Sequence, residues 1–195
     1  MTQTHPSDRI LTLPNLVTLI RLAMVPVFWW VLLGLDEVAW SAALIFVVGW
    51  TDWIDGYLAR RLNQVSKLGT SLDPVADRLM IASAVVAGLI AGVIPAVIGL
   101  GLIAREVFMG GVTLVLVLRG AGMLAVRYWG KVSTFILYGA IPAFYLAAAG
   151  VIEAVMAPLA WLTGVVGLAL YWFVALQYLG DAGRKLRDVE SPRNR

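Results

Sequence analysis

The sequence predicts an all-α integral membrane protein with six transmembrane helices and both termini on the cytoplasmic side. Three observations carry this: an apolar composition, six stretches of spanning length, and a one-sided distribution of basic residues. Of 195 residues, 61% are hydrophobic and 14% charged, against roughly 45–50% and about 25% in soluble domains. Mean hydropathy is +0.86. A water-soluble fold, a disordered tail and a nucleic-acid-binding domain are excluded, the last in spite of a net charge of +3 and a pI near 9.4. There is no cysteine, and the single His5 lies in a polar N-terminal segment. Disulfides, thiolate nucleophiles, Cys-ligated zinc and Ser-His chemistry are therefore absent. The chemistry left to the chain is that of carboxylates, Lys and Arg, hydroxyls or a bound metal.

A spanning helix needs about 20 mostly apolar residues. Six stretches meet this: Pro14 to Leu35, Val38 to Leu58, Pro74 to Ala91, Val93 to Leu118, Val132 to Val151 and Val155 to Leu179. The first exceeds the usual apolar core of a signal peptide and no small-x-small cleavage site follows it, so it is read as a retained helix. Cytoplasmic loops collect Lys and Arg. One side receives Arg9, then Arg60, Arg61 and Lys67, then Arg119, Arg127 and Lys131, and finally Arg184, Lys185, Arg187, Arg193 and Arg195; the other receives Asp36, Glu37 and Glu153. The termini are accordingly assigned to the cytoplasm of a multi-pass cell-membrane protein.

Three basic residues fall inside apolar stretches. Arg21 and Arg78 lie within about two turns of the cytoplasmic end, where a long side chain snorkels to the interface. Arg105, beside Glu106, falls near the middle of the fourth stretch, which requires either a polar cavity or a displaced helix. No repeat or linker divides the chain, and its length suits one domain at about 100–200 residues each. The expectation is a single six-helix domain over 1–195, with a cytoplasmic segment at 1–13 and a basic cytoplasmic tail at 180–195. Gly88 and Gly92 have GxxxG spacing, which suits close helix packing within a bundle or at a homodimer face.

Carboxylates at membrane depth are costly and need an explanation. The second stretch ends in Asp52-Trp-Ile-Asp55-Gly56-Tyr-Leu-Ala59-Arg60; eight residues later comes Gly69-Thr-Ser-Leu-Asp73-Pro-Val-Ala-Asp77. At 3.6 residues per turn, Asp52, Asp55, Gly56 and Ala59 share one helix face, as do Gly69, Asp73 and Asp77 on the next helix. Pro74 suits the first turn of a helix starting near Asp73. A short connection makes the two helices antiparallel neighbours and gathers four carboxylates at one depth. These cannot all ionise unless something neutralises them. Hard divalent cations, Mg²⁺ or Mn²⁺, take oxygen ligands and leave positions for water or phosphate oxygens. The plainer alternative, helix caps paired with Arg60, Arg61 and Arg78, accounts for one such pair but not for two matched pairs beside Gly56 and Ala59.

Asp52-x-x-Asp55-Gly56-x-x-Ala59-Arg60, eight residues, then Gly69-x-x-x-Asp73-x-x-x-Asp77 resembles, at every position and spacing, the signature of the CDP-alcohol phosphotransferase family. The resemblance extends to the six spans, to Pro14-Asn15-Leu-Val-Thr18-Leu-Ile-Arg21 and to the Arg105-Glu106 pair. It implies two divalent cations, Mg²⁺ or Mn²⁺, held by Asp52, Asp55, Asp73 and Asp77 against the diphosphate of a CDP-linked lipid. Gly56 and Ala59 would give the cytidine room, with Arg60, Gly69, Asn15 and Thr18 completing the CDP-lipid site. Asp77 would be the general base, and CMP would leave. Clustered carboxylates and metal follow from the residues themselves; cytidine follows only from the resemblance.

The Pro-Asn approach and the Asp-Pro-x-Ala-Asp form resemble bacterial members that use CDP-diacylglycerol. Members that accept glycerol 3-phosphate typically carry a further arginine about two turns beyond the Arg-Glu pair, where this chain has Thr113. A phosphate monoester needs such a partner more than a diester does. The departure favours phosphatidylglycerol as acceptor, giving cardiolipin, with glycerol 3-phosphate the alternative. Arg105, Arg119, Arg127 and Lys131 are the candidate acceptor-binding residues, although the last three also satisfy positive-inside topology and attraction to anionic membrane lipids. A carrier of divalent cations or protons is the reading from another class. It would need polar groups continuing across the membrane, and the far halves of the second and third stretches are apolar or glycine apart from Ser41 and Ser83, with no charged residue.

Overall fold

The computed structural model describes the backbone of residues 13–48, 67–122, 124–125 and 127–190. Among these it is wholly helical, with no strand. Helix α1 (Leu13–Trp29) runs into a π turn (Trp30–Gly34) and is followed by α2 (Val38–Val48), α3 (Lys67–Ile90), α4 (Ala96–Leu118), α5 (Tyr128–Ala148) and α6 (Glu153–Glu190). Three segments are long and apolar enough to cross a membrane, Ala96–Leu118, Tyr128–Ala148 and Glu153–Arg187; Thr18–Gly34, Val38–Val48 and Arg78–Ile90 are shorter apolar helices at the other three expected positions. The far end of the expected Val38 to Leu58 stretch lies outside the described residues.

Several boundaries differ from the sequence expectation. Helix α3 starts at Lys67, so Pro74 is inside the helix rather than in its first turn. Proline withholds one helical donor there, but the helix formers before it, Lys67 and Leu68, extend the element regardless. Gly92 does not extend a packing face with Gly88. It closes α3 at φ 71°, with Gly92 N–H donating to the Leu89 carbonyl and Val93 N–H to the Gly88 carbonyl. This is the paired-bond helix stop that a residue without a Cβ makes cheaply. The same pair of bonds closes α4 at Gly120 and α5 at Gly150, which is why α5 ends at Ala148 rather than Val151. Pro95 caps α4, its carbonyl accepting from Ile98 and Gly99, so that helix starts at Ala96 instead of Val93. Helix α6 continues through the expected tail to Glu190, because nothing after Leu179 breaks it and Asp181 pairs with Arg184 one turn on.

The chain divides into two compact units, Met1–Val93 with Tyr145–Glu153, and Ile94–Phe144 with Ala154–Arg195. In the first, α1 packs on α3. The buried positions Met80, Ser83, Ala84 and Ala87 recur along α3 at three- and four-residue steps, and the small size of Ser83, Ala84 and Ala87 lets a neighbour approach closely. Phe28 and Leu32 are fully buried. Phe28 meets the buried Tyr145 ring at 5.8 Å between centroids, and the Tyr145 hydroxyl donates to the Ala84 carbonyl at 2.7 Å. A tyrosine hydroxyl inside an apolar core needs such a partner.

In the second unit, α6 packs against α4 and α5 through glycines. A Cβ on Gly101 would lie 2.8 Å from the Leu168 side chain, one on Gly164 3.1 Å from the Phe144 ring, and one on Gly167 2.9 Å from Leu137. Trp172 Nε1 donates to the Gly101 carbonyl at 3.1 Å, and the Phe144 and Trp161 rings meet edge-on at 5.9 Å. Without water or a strong hydrophobic drive between helices in lipid, such close approach is the main source of association energy.

Candidate active site

The second half of the signature falls on α3, in the first unit. Asp52, Asp55, Gly56, Ala59 and Arg60 lie outside the described residues. Gly69, Asp73 and Asp77 are all on α3, at successive four-residue steps of one continuous helix. Each step advances about 6 Å and returns to nearly the same face. Asn15 and Thr18 are on α1, the helix that packs on α3. Thr18 is buried. Among the described residues no three His, Cys, Asp or Glu side chains gather into a metal site.

Arg21, one turn beyond Thr18, is also buried, with 4% of its surface exposed. This corrects the expectation that it snorkels outward. Its place on the packed face of α1 holds it inside the protein, whereas Arg78, on α3, is exposed as expected.

The mid-span Arg105 sits on the buried side of α4. Its Nη1 donates to Glu106 Oε1 at 3.1 Å, and its Cζ lies 3.6 Å from the centre of the Tyr171 ring. The Tyr171 hydroxyl donates to the same Glu106 Oε1. Arg105 Nε is buried without a hydrogen-bond partner. The charge is thus balanced by Glu106 and laid on an aromatic face, a cation–π contact strengthened by desolvation. Tyr171 was not singled out in the sequence. Its signal was a tyrosine deep in an apolar span, whose hydroxyl must find an acceptor.

The other acceptor candidates stand differently. Arg119 is the C-cap of α4 and exposed, and Lys131 is exposed in the first turn of α5. The Arg127 guanidinium is committed to α6: Nε and Nη2 donate to Asp181 Oδ2 at 3.0 and 2.5 Å, and Nη1 to Gln177 Oε1 at 3.1 Å. Its backbone N–H donates to the Tyr178 hydroxyl at 2.8 Å. Arg184 also donates to Asp181. Gln177, Tyr178, Asp181 and Arg184 occur at helical steps near the end of α6, a spacing that marks one face. Asp181 lies beyond the apolar run ending at Leu179. Hydrogen bonds from Arg127 and then Arg184 hold its carboxyl below the usual range.

Thr113 lies on α4 two turns past the Arg105-Glu106 pair and is half-buried. The neighbouring helix surface is open: a Cβ at Gly110 or Gly111 would meet nothing within 4 Å, and Val107 and Leu114 are exposed.

The described residues are helical, with three helices long and apolar enough to cross a membrane, which defines a helical membrane protein as the class, and comparison with known proteins identifies the family. The CDP-alcohol phosphatidyltransferase family model matches residues 11–173. The chain is 36% identical over 187 residues to a protein of Streptomyces coelicolor named cardiolipin synthase (CMP-forming), covering 93% of this chain and 87% of that one. It is 42% identical over 129 residues to a putative cardiolipin synthase of Mycobacterium tuberculosis, covering 66% and 61%. It is 34% identical over 148 residues to the CDP-diacylglycerol–glycerol-3-phosphate 3-phosphatidyltransferase of Bacillus subtilis, covering 69% and 76%. The chain belongs to the CDP-alcohol phosphatidyltransferase family, a family of membrane transferases.

Proposed function

We propose that this chain moves the phosphatidyl group of CDP-diacylglycerol onto phosphatidylglycerol, forming cardiolipin and releasing CMP. The observation that carries the reading is the similarity to the Streptomyces coelicolor cardiolipin synthase across nearly the whole of both chains. Thr113 in place of an arginine, beside an open, apolar stretch of α4, favours an acceptor that arrives from the bilayer over one that brings a phosphate monoester. Six spans, cytoplasmic termini and an active site on the cytoplasmic side complete the reading, on the strength of the one-sided Lys and Arg distribution.

Asp52, Asp55, Asp73 and Asp77 would hold two divalent cations. The donor set fits hard ions, being all oxygen, and the one-turn spacing of Asp73 and Asp77 on an unbroken helix suits ligands to a shared or neighbouring ion. Bound there, Mg²⁺ or Mn²⁺ would neutralise the diphosphate and the charge gathering on the leaving CMP. Asp77 takes the proton of the acceptor hydroxyl. The freed oxygen attacks the phosphatidyl phosphorus in line with the bond to CMP, which breaks as the new phosphodiester forms. Gly56 and Ala59 leave room for the nucleotide, and Arg60 steadies it. Thr18 and Asn15 approach the same lipid from α1, while Arg105, Arg119 and Lys131 serve the acceptor's anionic group and Arg127 steadies the loop that precedes α5.

The test is CMP release by purified protein from CDP-diacylglycerol, with phosphatidylglycerol and glycerol 3-phosphate compared as acceptors. The expected result is faster turnover with phosphatidylglycerol, lost on chelation and restored by Mg²⁺ or Mn²⁺. Faster turnover with glycerol 3-phosphate, yielding phosphatidylglycerophosphate, would overturn the acceptor and leave the reaction class intact. Activity indifferent to chelation would overturn the metal reading.

A further inference from the structure

The Arg105 cluster contains an arrangement that charge neutralisation alone does not explain. Consecutive helix residues point about 100° apart and do not face each other, so Glu106 has to bend round to meet Arg105. The most favourable neutralising contact would be the bidentate one, with two parallel N–H donors on the two carboxylate oxygens. Instead one oxygen, Glu106 Oε1, takes Arg105 Nη1 and the Tyr171 hydroxyl together. Arg105 Nε is left buried and unpartnered on a residue only 9% exposed. Tyr171 makes both restraining contacts, its ring beneath the guanidinium and its hydroxyl on the carboxylate that would otherwise pair more fully with that guanidinium. The Glu106 side chain is 56% exposed, so little besides Tyr171 limits where it swings.

Resting on the acceptor reading above, we propose that Tyr171 is a positioning residue: it holds Glu106 off the Nε edge of Arg105 and keeps that N–H available to an anionic oxygen of the acceptor. The chemistry it serves is a phosphodiester oxygen presented by a lipid headgroup. Tyr171 touches neither the donor nor the reacting atoms. Its influence is confined to acceptor affinity, through Arg105.

Tyr171→Phe keeps the ring under Arg105 and removes only the hydroxyl. Glu106 then closes on Nε and competes with the acceptor. Steady-state CMP release is measured for the wild-type chain and for Tyr171→Phe and Tyr171→Leu, varying phosphatidylglycerol at saturating donor and then the reverse, with Tm taken for each in the same detergent. The expected result is a rise of about ten-fold in the acceptor KM of Tyr171→Phe, the scale of one charge-assisted hydrogen bond. Its kcat stays within about two-fold and its donor KM is unchanged; Tyr171→Leu, which also loses the ring, shows a larger acceptor effect. An unchanged acceptor KM in an active Tyr171→Phe chain would overturn the positioning role and leave the function standing. A lower Tm with a fall in kcat alone would also overturn it, as the mark of a purely structural residue. Failure of the wild-type chain to release CMP with either acceptor would instead defeat the underlying reading, and the positioning role with it.

Discussion

Replacing Gly167 by Ala isolates the steric term that brings α6 against α5. The added Cβ would lie 2.9 Å from both Cγ and Cδ2 of Leu137 and 3.1 Å from Cγ2 of Ile136. Comfortable carbon contacts are about 3.5–4.0 Å, so neighbours must retreat by more than half an ångström. Leu137 is 3% exposed and has little space to yield. Overpacking of this kind costs about 1–3 kcal/mol, while replacing glycine by alanine within a helix returns about 1 kcal/mol of propensity. The net expectation for Gly167→Ala is a loss of about 0–2 kcal/mol. Gly139→Ala is the internal control, because Gly139 is in α5 and its Cβ would meet nothing within 4 Å. Both substitutions carry the same propensity gain, so their difference, about 1–3 kcal/mol, is the steric term alone. Unfolding in one detergent, followed by heat or denaturant, measures it. Equal stability of the two variants would refute the close packing of α6 on α5 at this position.

Asp77→Asn is expected to lower turnover by about 10²–10⁴, the usual contribution of a general base, while retaining more donor affinity than Asp73→Asn; CMP release and CDP-diacylglycerol binding separate the two, and near-normal turnover would remove Asp77 as base. Ile152 is exposed and held at φ 47°, a left-handed conformation that costs an L residue about 1–2 kcal/mol. Ile152→Gly should therefore stabilise the chain by about 1 kcal/mol, read as a higher Tm in detergent. For Asp181 the sign is that of a depressed carboxyl. Its contribution is present above the unfolded value of about 3.9 and is lost as pH falls through the lower folded value. The stability gap between wild type and Asp181→Asn should close as pH is lowered below about 4, and a gap constant with pH would contradict the ion pairs.

The length and apolarity of each segment are local properties, so the sequence alone locates the six apolar segments and fixes their helical character. It likewise carries the family, because Asp52, Asp55, Gly56, Ala59, Arg60, Gly69, Asp73 and Asp77 stand at fixed intervals that need no structure to read. The helix ends were less legible. A GxxxG spacing has two meanings, and only the bonds from Gly92 and Val93 show Gly92 as a helix stop. Pro74 reads locally as a first-turn residue, yet α3 begins seven residues earlier.

Which polar side chains meet is settled by how the helices pack. Arg105 and Tyr171 are 66 positions apart, and Arg127 and Asp181 54. No periodicity within one helix announces a partner on another. Arg21 was legible as a charge in an apolar stretch, but whether it reaches out to the membrane surface or is buried depends on the rotation of α1 against α3. Composition and spacing act through the chain's own neighbours, whereas the environment of a charge is set by whichever helices pack against it. The signature was therefore readable in the sequence, and the support around Arg105 was not.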